Sequence, residues 1–134
     1  MIRGIDHVGI AVSSIEEKLH FYRDVLDIGE VHVEEVPDQK VRVAVVVTEQ
    51  GRIELLEPTS DDSTIARFIE KKGEGMHHMA LSVADIDAEI ARLQSQDVRM
   101  IDETPRIGAG GIRIAFIHPK SAGGVLTELC ERGA

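Results

Sequence analysis

The chain has 134 residues, enough for one domain with a sizeable core. Its net charge of −9, pI near 5.1 and lack of tryptophan argue against nucleic-acid binding, which favours basic surfaces and aromatic platforms. The lone cysteine, Cys130, excludes an internal disulfide and suits a reducing cytoplasm, and no apolar run nears the ~20 residues of a membrane span.

Alternation begins at Ile2, so no signal peptide is expected and a first strand is predicted over residues 2–12. Ser14 with Glu17 three residues on forms a capping box for a helix. Ile15, Leu19, Tyr22 and Leu26 fall at helical spacing, and Gly29 is the expected stop. An edge strand is predicted over 30–36, ended by Pro37. A valine-rich strand comes next over 41–48, and another over 52–57, ended by Pro58. Between Ser60 and Gly73, Asp61, Asp62 and Ser63 offer N-caps, and Ile65, Phe68 and Ile69 form one apolar face. This reads as a linker helix. The order then recurs. After the strand around His77 and His78, Asp85 caps a helix carrying Ile86, Ile90 and Leu93, and strands are expected near 98–102, 111–117 and 124–131.

That recurrence is an internal repeat. His7 aligns with His78 at an offset of 71 (78 − 7), which also sets Val12 on Val83, Ile15 on Ile86 and Arg42 on Arg113. Glu54 aligns with Glu128 and Glu57 with Glu131 at an offset of 74 (128 − 54), the extra residues being a loop insertion. The expected organisation is a single domain, 1–134, with modules 1–58 and 74–134 and a linker helix over 60–73. Each module reads βαβββ.

A strand alternates its side chains between two faces. His7, Gly9 and Ala11 share one face, against Val8, Ile10 and Val12 on the other. His78, Ala80 and Ser82 likewise oppose Met79, Leu81 and Val83. The branched face should pack on helices. Small residues beside each histidine leave room for something that is not protein. A lone histidine on a strand is usually structural, but two His and two Glu at equivalent positions are hard to explain by packing, because glutamate is rarely buried without a counter-charge. His7, Glu54, His78 and Glu128 are therefore the candidate ligands of one metal on the pseudo-twofold axis. Their nitrogen and oxygen donors suit Zn, Co, Ni, Mn or Fe.

The remaining histidines carry less. His77 alternates away from His78, His20 sits on a solvated helix face, His32 lies on the edge strand, and His118 belongs to a turn. Cys130, two residues after Glu128, reads as a small buried apolar residue, with a supporting place beside the metal as the alternative.

Several segments resemble the methylmalonyl-CoA epimerases of the vicinal oxygen chelate (glyoxalase/bleomycin resistance) superfamily. They are Ile5-Asp6-His7-Val8-Gly9-Ile10-Ala11-Val12, Ile53-Glu54-Leu55-Leu56-Glu57-Pro58, Gly75-Met76-His77-His78-Met79-Ala80 and Phe116-Ile117-His118-Pro119-Lys120-Ser121. The segment Asp62-Ser63-Thr64-Ile65-Ala66 and the His-Pro-Lys-Ser loop are the features nearest to the epimerases within that superfamily. The resemblance implies an α+β fold, two tandem βαβββ modules forming a cupped mixed sheet around a metal site. It implies metal binding by His7, His78 and Glu128, with Glu54 in a place where some members carry Gln. It further implies one divalent ion per chain (Co, Mn, Zn or Ni), an acyl-CoA substrate, a homodimer, and a cytoplasmic role in propionyl-CoA metabolism.

The implied reaction is epimerisation of methylmalonyl-CoA at C2, by proton abstraction and return through a metal-stabilised enolate. Inversion needs a base on each face. Some epimerases place a glutamate where this chain has Val43, and Lys40 stands where Gly is usual. With Val43 unable to serve, Glu128 and Glu54 are the catalytic candidates, Glu128 foremost. The alternatives are a glyoxalase I-like glutathione-dependent lyase, which would use the same His/Glu/His/Glu set, a ring-cleaving dioxygenase, and a non-catalytic ligand-binding member.

Overall fold

The computed structural model describes residues 1–133. The fold is α+β, as expected, and the chain divides into two compact units. One runs from His7 to His77; the other comprises Met1–Asp6 and the chain from His78 onward. The first strand, β1 (Ile2–Ala11), therefore contributes to both.

In the His7–His77 unit the strands are β1, β2 (Glu30–Val36), β3 (Val41–Val47) and β4 (Arg52–Pro58). Their order is β2-β3-β4-β1, with β1 and β4 parallel and the other pairs antiparallel. The helix α1 (Ile15–Leu19) lies over the sheet. Its residues Ile15 and Leu19 pack with Val12, Ala44, Val46 and Leu55, and Ile10 joins them. The branched face of β1 thus meets the helix, as its alternation predicts. A second helix, α2 (Thr64–Lys72), is capped by the Ser63 hydroxyl, which accepts from Ala66 N at 3.0 Å, and Gly73 ends it at φ 79°.

The helix predicted through Leu26 is not uniform. After Leu19 the chain widens to π-helical geometry over His20–Val25, and Leu26 N donates to Phe21 O at 3.0 Å. A π-turn inserts one residue and rotates the residues after it. Leu26, expected inside, is left exposed, and Ile28 joins the core instead. The stop is Asp27 in the left-handed region (φ 58°), not Gly29. Lys40 is also left-handed (φ 55°), a conformation that favours glycine, and its Nζ lies 2.6 Å from Asp62 Oδ2.

The other unit contains β5 (Gly75–Val83) from His78 onward, β6 (Arg106–Ile107), β7 (Arg113–Ile117) and β8 (Thr127–Glu131), in the order β5-β8-β7-β6. Here β5 and β8 are the parallel pair, and the other pairs are antiparallel. The helix α3 (Ile86–Ser95) is capped by Asp85 and packs Ile86 and Ile90 against Val83, Ala115, Ile117 and Leu129.

The strand predicted near 98–102 does not form. Only Met100 makes a bridge, to Ile117, and the ladder with β7 resumes at Arg106–Ile107. The Asp102 carboxylate takes Phe116 N at 2.9 Å, and Asp97 turns the chain at φ 63°. A side chain that fills a ladder position ends the ladder. The strand resumes beyond Pro105, and a Cβ at Gly108 would come within 2.9 Å of the Ile114 side chain.

The repeat extends to a polar latch. Glu57 Oε1 accepts from Ile15 N at 2.8 Å, and the same carboxylate lies 3.4 Å from Arg42. Glu131 Oε2 accepts from Ile86 N at 2.8 Å and lies 3.2 Å from Arg113. Each latch satisfies the first N–H of a helix with a carboxylate from a strand.

Candidate functional site

The four candidate residues form two histidine–glutamate pairs, one in each unit. In the first, register sets Gly9 of β1 against Glu54 of β4, so Glu54 lies diagonal to His7. In the second, Ala80 of β5 faces Glu128 of β8, diagonal to His78. The outer neighbours also correspond, Val45 beside Glu54 and Phe116 beside Glu128. The register is the same in both, and it reproduces the repeat read from sequence.

All four side chains are buried, none of these residues being more than 7% exposed. His7 Nδ1 lies 3.4 Å from Glu54 Oε2, and His78 Nε2 lies 3.3 Å from Glu128 Oε1. These separations exceed the usual 2.7–3.2 Å of an N–H···O bond. Two donors sharing an ion at about 2.1 Å stand about 3.4 Å apart at the tetrahedral angle. Imidazole nitrogen and carboxylate oxygen at this spacing therefore fit a divalent cation, and the described residues include buried His and Glu groups that could hold one. Buried carboxylates need a compensating positive partner, which a cation supplies.

The surroundings of the pairs differ. The His78 ring meets Phe116 edge-on, with centroids 5.5 Å apart. Ala80, Ile114 and Cys130 pack together in the same unit, so Cys130 is buried as expected. Its thiol also lies 2.8 Å from Glu128 Oε2, a contact that a spacing of two in a strand permits but does not specify. Val43 is buried and apolar, paired across the sheet with Leu56.

The other histidines stand apart from these pairs. The His77 ring packs edge-on to Phe68, and burial lowers its pKa to about 4. The side chains of His20 and His32 are exposed, the latter 2.6 Å from Glu30. His118 caps the turn Pro119–Ser121, its Nδ1 accepting from Lys120 N at 3.0 Å. Burial, then Arg99 and Lys120, lowers its pKa. Arg99 N donates to Ser121 Oγ at 2.9 Å, which ties that turn down.

One buried ion pair had no sequence signal. Arg132 grips Asp6 with two bonds of 2.9 and 3.0 Å, across 126 residues of chain. Neither residue has an equivalent at the repeat offsets, where His77 and Pro58 stand, and no spacing rule connects them. Among the described residues, no helix is long and apolar enough to cross a membrane.

Residues 6–116 match the model of the Glyoxalase/Bleomycin resistance protein/Dioxygenase superfamily. The structure superposes on a methylmalonyl-CoA epimerase from Mycobacterium tuberculosis with a TM-score of 0.93 and 43% identity, over 99% of this chain and 90% of that one. A Streptomyces coelicolor methylmalonyl-CoA epimerase variant, in complex with 2-nitronate-propionyl-CoA, gives a TM-score of 0.93 and 40% identity, over 100% and 97% of the two chains. The mitochondrial methylmalonyl-CoA epimerase of Mus musculus is 39% identical over 93% of this chain and 71% of its own length. With a matching superfamily model and relatives this similar over nearly its whole length, the chain belongs to the Glyoxalase/Bleomycin resistance protein/Dioxygenase superfamily and, within it, to the methylmalonyl-CoA epimerase family.

Proposed function

We propose that this chain is an isomerase that interconverts the 2R and 2S forms of methylmalonyl-CoA. The observation that supports this reading most directly is the matched pair of buried His–Glu sets, in one register, within a chain so similar to epimerases. The domain is 1–134, with modules 1–58 and 74–134 joined by a linker helix over 60–73. His7, Glu54, His78 and Glu128 hold one divalent ion, with Co, Mn, Zn and Ni as candidates. The functional unit is a cytoplasmic homodimer, cyclic dimers being the commonest assembly.

The C2 hydrogen of the substrate lies between a thioester carbonyl and a carboxylate, which makes it acidic. Its removal moves negative charge onto the thioester oxygen. When bound, the ion supplies Lewis-acid stabilisation of that charge, worth about several kcal/mol. Inversion requires a proton to leave one face of C2 and return to the other. Glu128 and Glu54 carry these transfers, directly or through a water, with Glu128 the principal base. Gly9 and Ala80, opposite the two glutamates, keep the adjoining space clear of bulky side chains. Buried surroundings limit competing water, so each carboxylate meets the substrate rather than bulk solvent.

The test is incubation of metal-loaded protein with (2S)-methylmalonyl-CoA in D2O, with C2 observed by NMR. Deuterium should enter C2 with loss of optical activity at that carbon. Absence of exchange, with turnover of the methylglyoxal–glutathione hemithioacetal, would overturn the reading in favour of the lyase.

A further inference from the structure

The repeat makes Glu54 and Glu128 equivalent in register, but not in the residue that stands two further along. After Glu54 comes Leu56, an aliphatic side chain. After Glu128 comes Cys130, fully buried among Ala80 and Ile114. Residues two apart in a strand share a face, and Cys130 Sγ approaches Glu128 Oε2 to 2.8 Å. The other oxygen, Oε1, is the one that faces His78 Nε2, at 3.3 Å. The two oxygens of one carboxylate thus have different neighbours.

A buried cysteine ordinarily behaves as a small hydrophobe with a weak S–H donor. A carboxylate acceptor strengthens any bond donated to it. A donor held on one oxygen fixes the rotation of the carboxylate and leaves the other oxygen to a cation. We infer that Cys130 is a positioning residue for Glu128: its thiol donates to Oε2 and so turns Oε1 toward the metal. Leu56 has no hydrogen to donate, so this device does not operate on Glu54. The inference rests on the metal assignment proposed above. It adds an asymmetry between two glutamates that the repeat alone would treat alike.

Partners of metal ligands typically change metal affinity about 10- to 100-fold when removed. Cobalt(II) binding to metal-free protein, monitored by calorimetry and by the visible cobalt spectrum, measures the effect without reference to turnover. Cys130→Val, apolar and without a donor although about one methylene larger, should bind cobalt about 10- to 100-fold more weakly. Its spectrum should change as the second oxygen, released from the thiol, enters the coordination sphere. Cys130→Ser, which keeps a donor, should stay near the wild-type affinity and spectrum. Should the valine variant not accumulate as folded protein, Cys130→Ala is the second donor-free variant. Equal affinities and spectra for all the proteins would overturn the inference. Equal weakening of the serine and donor-free variants would also overturn it, because the thiol would then act only by packing. Wild-type protein that takes up no cobalt overturns the metal assignment and this inference with it.

Discussion

The latch between Glu131 and α3 gives a quantitative test of how the repeat is held together. Glu131 Oε2 accepts from Ile86 N at 2.8 Å, and Ile86 is fully buried. Glu131→Ala leaves that N–H without its acceptor. A hydrogen bond to a charged acceptor contributes about 1.5–3 kcal/mol. A negative charge at a helix N-terminus adds about 0.3–1 kcal/mol. The Arg113 pair adds little, because Arg113 also bonds Asp87 at 2.8 Å and is partly exposed. The expected loss is thus roughly 2–4 kcal/mol. With an unfolding entropy of about 2.1 cal/mol/K per residue, this lowers Tm by roughly 7–14 °C. Urea unfolding of metal-free protein is the assay, since bound metal would add its own linkage. The midpoint should fall at unchanged slope. The pH dependence supplies a second check. The Ile86 N–H bond and Arg113 hold the Glu131 carboxyl below its ordinary pKa. A depressed carboxyl pKa stabilises the fold above the unfolded value of 4.5, and that stability is lost as pH falls through the folded value. Wild-type and variant stabilities should therefore converge in acid. A cost below about 0.5 kcal/mol at pH 7, the ordinary range of surface substitutions, or a gap that persists unchanged into acid, would refute the reasoning.

Four further outcomes are expected. His78→Ala should lose stoichiometric metal and activity while far-UV circular dichroism stays unchanged; full metal occupancy would sink the ligand assignment. Glu128→Gln, loaded with metal, should lose about 10²–10⁴ in exchange at C2, because an amide cannot accept the proton. Glu54→Gln should keep metal and partial activity, and near-normal exchange by Glu128→Gln would place the base elsewhere, with the loop from His118 to Ser121 the next region to mutate. His77, with its pKa lowered from 6.5 to about 4 by burial, binds its proton more readily unfolded. Metal-free stability should therefore fall as pH drops from 6.5 to 4, by up to about 1.4 kcal/mol per pH unit from this group. His77→Phe should flatten that slope in chemical denaturation, and an unaltered slope would count against it.

The repeat, the four buried His and Glu side chains and the packing of each strand's branched face were legible in the sequence. They follow from local rules: side chains alternate along a strand, helices need caps, and a buried carboxylate needs a counter-charge. Gly9 and Ala80 opposite the glutamates follow from the same alternation once the register is known. The widening of α1 after Leu19 was not legible, because α and π geometry differ by one hydrogen-bond step that apolar spacing barely distinguishes. Nor was the failure of a strand near 98–102. There the Asp102 carboxylate takes Phe116 N, and only the folded chain brings that group within reach. The Asp6–Arg132 pair and the thiol on Glu128 depend likewise on tertiary placement. Local sequence thus determined which residues are candidates for the chemistry. The tertiary structure decided which oxygen of Glu128 meets the histidine and which meets the thiol, since hydrogen-bond direction depends on distances no spacing encodes.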